Sequence, residues 1–506
     1  MNSKFAKVFA LLLFVVAGLF LAVVALVAVL STTIYIETDG EVPTVVSLFS
    51  HGLLLPLAGI AAGVVVILLM VVLGRCSRHV PKKVVLCVLI ALTTLLGLWW
   101  VLIQDVDTSR FGDSYRLLQF AKEAAAGNWE SFTGSAVITK VSELPDDAHL
   151  YFMEYPFQAG IFWYFYDFYC LFGDAAVKAL LVANVVADEV TILAILGITK
   201  LLGRDCDGSS VVAAALLALC VPLHFSAAFP YGNNIGLCFG SLFLLLQCRA
   251  FCAEGAGSKI GNIAASAIPF VLTLMIKSTF ILFGIAAVIG WFIYAIKFKK
   301  SLLLLSALVV LVVSNTLSSA PVRVLESKAG YSFGDGMPKT SWLMLGSNRS
   351  DSTDAAGWWD TQAIEVFLSA EGDKNVQGTL TLSAIKGNVV ELIASPTEAL
   401  IFYFEKLSTE WADPTFEFFV YAGMNAKDFD TFFDPYDALG MDKPAKVLVS
   451  VLDGLQICVY VLAFAYLVSL ARSGRFFGPQ LLLVGTFFTG FGCYLLWEAK
   501  GIYLLP

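Results

Sequence analysis

Apolar runs close to the ~20 residues needed to cross a bilayer as a helix recur from one end of this chain to the other. Val8–Leu30, Leu53–Leu73 and Val84–Ile103 are the first three. A helix satisfies its own backbone polar groups, so each run reads as a membrane crossing rather than a soluble core element. The charged content agrees: 14% of the 506 residues are charged, against roughly 25% in a soluble domain. The chain therefore reads as an all-α polytopic membrane protein, and no basic stretch suggests nucleic acid as a partner.

Loop charge sets the expected orientation. The connector RCSRHVPKK after the second run is basic, which places it in the cytoplasm by the positive-inside rule. The third run then delivers residues 104–176 to the outer side. Within them, Pro156–Phe172 (PFQAGIFWYFYDFYCLF) is aromatic and short, and carries Asp167. Trp and Tyr favour the headgroup level. Treating this segment as an interfacial helix also keeps Lys200, Arg204, Arg249, Lys259 and the KFKK run at 297–300 inside. Further crossings follow near 177–200, 209–228, 232–249, 260–276, 279–296, 301–318, 446–471 and 478–497. That makes about eleven in all, with the N-terminus inside and the C-terminus outside. Residues 104–176 and 319–445 hold 30 of the 40 acidic residues but only 13 of the 32 Lys and Arg, the low basic count expected of outer loops.

Four regions result: two N-terminal transmembrane helices in 1–83, a membrane module in 84–318, an outer region in 319–445, and C-terminal transmembrane helices in 446–506. Residues 319–445 carry Trp342, Trp358, Trp359 and Trp411, too many aromatics for a disordered linker. A mainly helical structure resting on the membrane face is expected there, with one helical stretch at Leu380–Leu407. The ten cysteines lie in or beside apolar runs and form no CxxC pair. They read as buried small apolar residues rather than disulfides or zinc ligands.

This topology gathers polar residues on one face. Asp105, Asp107, Arg110 and Asp113 follow the third crossing. An amphipathic segment comes next, with Tyr115, Leu118 and Phe120 interleaved with Arg116, Gln119 and Lys122, and then Glu154, Tyr155 and Gln158. The turn FPYGNN supplies Tyr231, Asn233 and Asn234, a two-residue connector supplies Lys277, and the final WEAKGIYLLP supplies Glu498, Lys500 and Tyr503. Carboxylates, amides and cations together suit a phosphorylated lipid and a polyhydroxylated acceptor. Blander roles compete: Asp113 as a helix N-cap or partner of Arg110, Lys277 as a snorkelling cation, the asparagines as turn residues. Inside a predicted crossing, Asp188 and Glu189 either share a proton or face a polar cavity. His224 reads as a packing residue, and Glu410 and Asp413 as contacts to acceptor or loop solvent.

The segments SRFGDSYRLLQFAKEAAAGNW and YPFQAGIFWYFYDFYCLFGD, with the ending LWEAKGIYLLP, resemble the C-type (GT-C) integral-membrane glycosyltransferases. The likeness is to the branch with the protein O-mannosyltransferases and lipid A aminoarabinose transferase, and to its bacterial relatives. It covers much of 84–320 and the last crossing. Two crossings precede the module's first, and Ile502 stands where relatives often carry Arg or Gln.

The resemblance implies transfer of a sugar from a polyprenyl-phosphate donor to an envelope polysaccharide, glycolipid or protein acceptor on the outer face of a bacterial plasma membrane. It implies Asp113 as catalytic base and Lys277 as a phosphate contact. Glu154 is the candidate second catalytic or acceptor-binding carboxylate. Arg110, Tyr155, Gln158, Tyr231, Asn233, Asn234, Glu498 and Lys500 complete the expected substrate-binding set. No cofactor is expected to be obligatory, although Asp105, Asp107 and Asp113 offer oxygen ligands of the kind Mg²⁺ or Mn²⁺ takes. Two other classes stay open: a transporter or flippase of a lipid-linked or small polar substrate, and a noncatalytic assembly protein.

Overall fold

The computed structural model describes residues 2–38, 40–49, 52–77, 81–104, 106, 112–133, 147–203, 208–418, 421 and 443–504. Among them, nine helices are long and apolar enough to cross a membrane: Lys4–Leu30, Leu54–Cys76, Lys82–Ile103, Pro156–Gly203, Asn233–Cys252, Ala256–Ile276, Ser278–Phe298, Ser301–Ala329 and Lys446–Ser473. Two shorter apolar helices, Ser209–Ala218 and Gln480–Tyr494, accompany them. Among the described residues the protein is an all-α polytopic membrane protein apart from one hairpin.

Helix breaks follow the sequence closely. The stretch expected as one crossing at 209–228 is a ten-residue helix, then a break, then Val221–Ser226. Pro222 has no N–H to offer the carbonyl four residues back. The freed Ala218 carbonyl instead meets Nε2 of His224 at 3.2 Å, which gives that buried imidazole a packing role. The expected helix at Leu380–Leu407 likewise divides at Ser395 into Lys374–Ala394 and Pro396–Trp411. Residues before proline leave the α region, and Ser395 is extended at φ −127°, ψ 76°.

The long apolar helix that begins at Pro156 also divides. Ala159–Phe172 ends where Gly173 takes φ 54°, and a new helix runs from Ala176 to Gly203. The first of these packs in one cluster with Leu117, Phe120, Phe152, Leu325 and Phe333, and with Ala176 and Leu180 at the start of the second. Gly160 lets it come close to the end of Ala267–Ile276: a Cβ there would stand 1.7 Å from the Met275 carbonyl oxygen. That contact fixes the Tyr155–Gln158 turn beside Lys277. Lys178 supports the neighbouring helix by donating to the carbonyls of Val101 and Leu102 at 3.3 and 3.2 Å, where a cation meets the negative helix end favourably.

Two features depart from the sequence reading. Ser31–Thr38 and Gly40–Ser47, between the first two apolar runs, pair as an antiparallel hairpin; the segment is rich in β-branched Thr, Ile and Val. The cysteines also divide. Cys238 and Cys248 are buried, but Cys76, Cys87, Cys170 and Cys252 are exposed along apolar helices. An apolar side chain on a membrane helix can be solvated by lipid instead of protein.

Candidate functional site

The polar groups meet where helices end. Asp113 opens the helix Asp113–Ala125, and Glu154 closes Ala148–Glu154. Asn233 begins Asn233–Cys252. Lys277 links two apolar helices, and Glu498 and Lys500 follow Gln480–Tyr494. Helix ends carry unsatisfied backbone groups and must leave the apolar layer, so all these side chains collect at one rim.

Asp113 keeps an exposed face but is crowded by protein. Burial pushes its carboxyl above the ordinary carboxylate range, opposed by Arg116, Lys500, the Tyr151 hydroxyl and Lys277. Glu154 is only 3% exposed, and its Oε1 has no hydrogen-bond partner among the described residues. Its carboxyl is pushed up to about 8, by burial first and by Asp113, with Arg116 pulling the other way. Glu498 is raised by burial and held back by Lys500 and by Tyr503, whose hydroxyl donates to Oε2 at 3.1 Å.

Lys277 is a half-buried cation at the rim. Its Nζ donates to Oδ1 of Asn233 and lies over the rings of Tyr231 and Tyr503, at 4.7 and 5.6 Å from their centroids. Burial, and then the charge of Lys500, push the ammonium down to about 7, against Asp113, Glu417 and Glu498. Gln158 donates to the Tyr231 hydroxyl at 2.5 Å, joining the Pro156–Gln158 turn to the same group. A small cleft lies between Asn233, Lys277, Phe280 and Tyr503.

No family model, curated protein or solved structure matches the chain. The site is therefore read from its own geometry.

Of the expected residues, Asp113, Glu154, Tyr155, Gln158, Tyr231, Asn233, Lys277, Glu498 and Lys500 converge. Asn234 does not join them. Its Nδ2 donates to Asp188 at 2.8 Å and to Ser226 at 2.6 Å, inside the helix bundle. Asp188 and Glu189 do not form one pair: Glu189 lies by Thr93 and Thr94. Arg110, Asp105 and Asp107 lie outside the described residues. Among the described residues no three His, Cys, Asp or Glu side chains group to hold a metal ion.

Four participants were not singled out as site residues from sequence. Arg116 stands three residues after Asp113, a spacing that shares a helix face and was a usable signal. Tyr151 stands three before Glu154 on its short helix. Glu417 had no signal; it accepts from the Gly501 backbone at 2.6 Å. Lys406, wholly buried, donates to the carbonyls of Gly346 and Trp497 at 2.6 and 2.5 Å. Together these hold the segment bearing Glu498 and Lys500. Glu410 and Asp413 are also buried: Glu410 beside Lys406, and Asp413 accepting from the backbone of Thr415 and Glu417.

Proposed function

We propose that this chain is a membrane glycosyltransferase that moves a sugar from a polyprenyl-phosphate donor to an acceptor hydroxyl. The observation that carries the reading is a carboxylate at the rim of an apolar bundle, faced by Arg116, Lys277 and Lys500 and set beside a second carboxyl, one oxygen of which has no hydrogen-bond partner among the described residues. Such a rim receives both halves of the donor. The isoprenoid stays with the apolar helices, and the phosphate meets Lys277.

Two carboxyls in unlike environments divide acid and base duties. Four groups favour the charged form of Asp113, whereas Arg116 alone favours that of Glu154. Asp113 is the more readily ionised of the two, and Glu154, pushed up to about 8, holds its proton at neutral pH as a hydrogen-bond donor. Asp113 takes the acceptor hydroxyl proton as that oxygen bonds to the anomeric carbon. The bond from that carbon to the phosphate oxygen breaks, and its electron pair leaves on the phosphate, met by Lys277 and Lys500. One displacement inverts the anomeric centre. General-base assistance of this kind contributes about 10²–10⁴-fold, and no metal is required.

In this reading the nine long helices and the two shorter apolar ones make eleven crossings, the fold is GT-C-like, and the rim faces outward from a bacterial plasma membrane. The test uses purified protein, a radiolabelled panel of polyprenyl-phosphate sugars and native membrane extract, with wild type compared against Asp113→Asn. Transfer or donor hydrolysis by wild type, lost in a folded variant, supports the proposal. Equal behaviour removes Asp113 from the role, and no turnover with any donor moves the function to transport or assembly.

A further inference from the structure

An aromatic path runs outward from the site. The Tyr151 hydroxyl lies beside Asp113. The Tyr151 ring meets Tyr155 at 5.3 Å between centroids, Tyr155 meets Phe157 at 6.1 Å, and Phe157 meets Trp342 edge-on at 5.7 Å. Trp342 and Trp497 then lie parallel, 5.8 Å apart at an interplanar angle of 6°. Phe157 is 39% exposed, and both indoles are partly exposed.

Three separate segments build this outer end, and backbone contacts hold each in place. Met337 donates to the Glu154 carbonyl at 3.0 Å, which sets the helix bearing Trp342 against the Glu154–Gln158 turn. Lys406 holds the Trp497 carbonyl. The carboxyl of Glu498 follows Trp497 directly, and that of Glu154, whose Oε1 has no partner among the described residues, precedes Tyr155.

We propose that Phe157, Trp342 and Trp497 form the acceptor subsite, and that the acceptor it takes is a carbohydrate chain. Sugar rings have one face of C–H groups and a rim of hydroxyls. The negative face of an indole attracts such C–H groups, and flat rings supply that surface without ordering flexible side chains. Hydroxyls at the ring edge meet the Glu154 and Glu498 carboxyls. A sugar seated on Phe157 and Trp342 points its neighbour along Tyr155 and Tyr151 toward Asp113. A hydroxyl of that neighbour is the one deprotonated. An extended peptide has no comparable flat apolar face to repeat along such a path.

The proposal rests on the glycosyltransferase reading, and its experiment separates the two. Wild type, Trp342→Ala, Trp342→Phe and Phe157→Ala are assayed for transfer from the polyprenyl-phosphate sugar panel to gluco-, manno-, galacto- and arabino-oligosaccharides and to a Ser/Thr-rich peptide. Binding of the same oligosaccharides is measured by calorimetry without donor. The expected result is transfer to a saccharide, with an acceptor KM raised about tenfold in Trp342→Ala. In that variant kcat changes less than KM, and Trp342→Phe recovers most of the loss. An unchanged acceptor KM, or transfer to the peptide alone, overturns the proposal. If wild type cleaves no donor, the glycosyltransferase reading falls and calorimetry decides this one. Saccharide binding weakened by Trp342→Ala supports it, and absence of binding to every saccharide overturns it.

Discussion

Asp188 and Glu154 are equally buried, each 3% exposed, yet they are treated differently by their surroundings. Asp188 lies within a long apolar helix and accepts a hydrogen bond from Asn234, which also donates to Ser226. Glu154 lies at the rim, and one of its oxygens has no partner among the described residues. Leaving a buried polar atom unsatisfied costs roughly 1–3 kcal/mol. Both regions carry some of that cost, since Asn234 Oδ1 and Glu189 Oε2 also have no partner among the described residues; the difference is that the Asp188 carboxyl is itself engaged by Asn234 whereas Glu154 Oε1 is not. In the proposed reading, the open oxygen of Glu154 at the rim is held for substrate, and the Asp188–Asn234–Ser226 cluster is structural polar packing.

The comparison breaks most easily at Asp113. Asp113→Asn is expected to lower sugar transfer about 10²–10⁴-fold with the fold intact; a variant of near wild-type rate would remove the rim's claim to the chemistry. Lys277→Met is expected to cost about 10²–10³-fold in kcat, by analogy with loss of one charge-stabilising donor. The loss should be read with saturating donor, so that it reports the departing phosphate rather than binding alone.

Glu154 sharpens the contrast through pH. Its carboxyl is protonated below about 8, so kcat should fall as pH rises through that value and Glu154 ionises beside Asp113. Glu154→Gln, which cannot ionise, should keep its rate and lose that alkaline limb. Lys277 titrates near 7 without ligand, but a bound phosphate favours its charged form, so a kcat profile at saturating donor isolates Glu154. A limb that persists in Glu154→Gln would assign it to another group.

The smallest effect on transfer is expected at Asp188. Asp188→Leu removes one of the two acceptors of the Asn234 amide and should lower stability by about 1–3 kcal/mol, read as a drop in Tm, while transfer stays close to wild type. Normal stability with lost function would reverse the comparison and favour a transporter, whose polar groups sit at the bilayer midplane.

Much of this arrangement was legible in the sequence because apolar runs declare membrane helices, and loops between them must surface on alternate sides. Placing Asp113, Glu154, Lys277 and Glu498 on one face needed only that. What escaped depended on direction within a turn or on contacts between distant segments. Consecutive residues on a helix point about 100° apart, so Asn233 reaches Lys277 while Asn234 turns into the bundle. Lys406 reads as an ordinary amphipathic-helix lysine until Gly346 and Trp497 close around it. Pro222 and Pro396 mark in the sequence the breaks that divide their apolar and amphipathic runs.

The first helices of the chain have a bearing on how it is made. A Cβ on Gly59 would stand 2.1 Å from the Ser450 carbonyl oxygen, and one on Gly63 would stand 2.6 Å from the Gly454 backbone. Small residues at that spacing let membrane helices touch backbone to backbone, and Ser450 Oγ donates to the Leu55 carbonyl across 395 residues of sequence. During synthesis, Leu54–Cys76 enters the bilayer long before its partner is translated. It must wait there with its glycine face against lipid or a chaperone, so a chain halted before residue 450 leaves its earliest membrane segments unclosed and open to quality-control proteolysis.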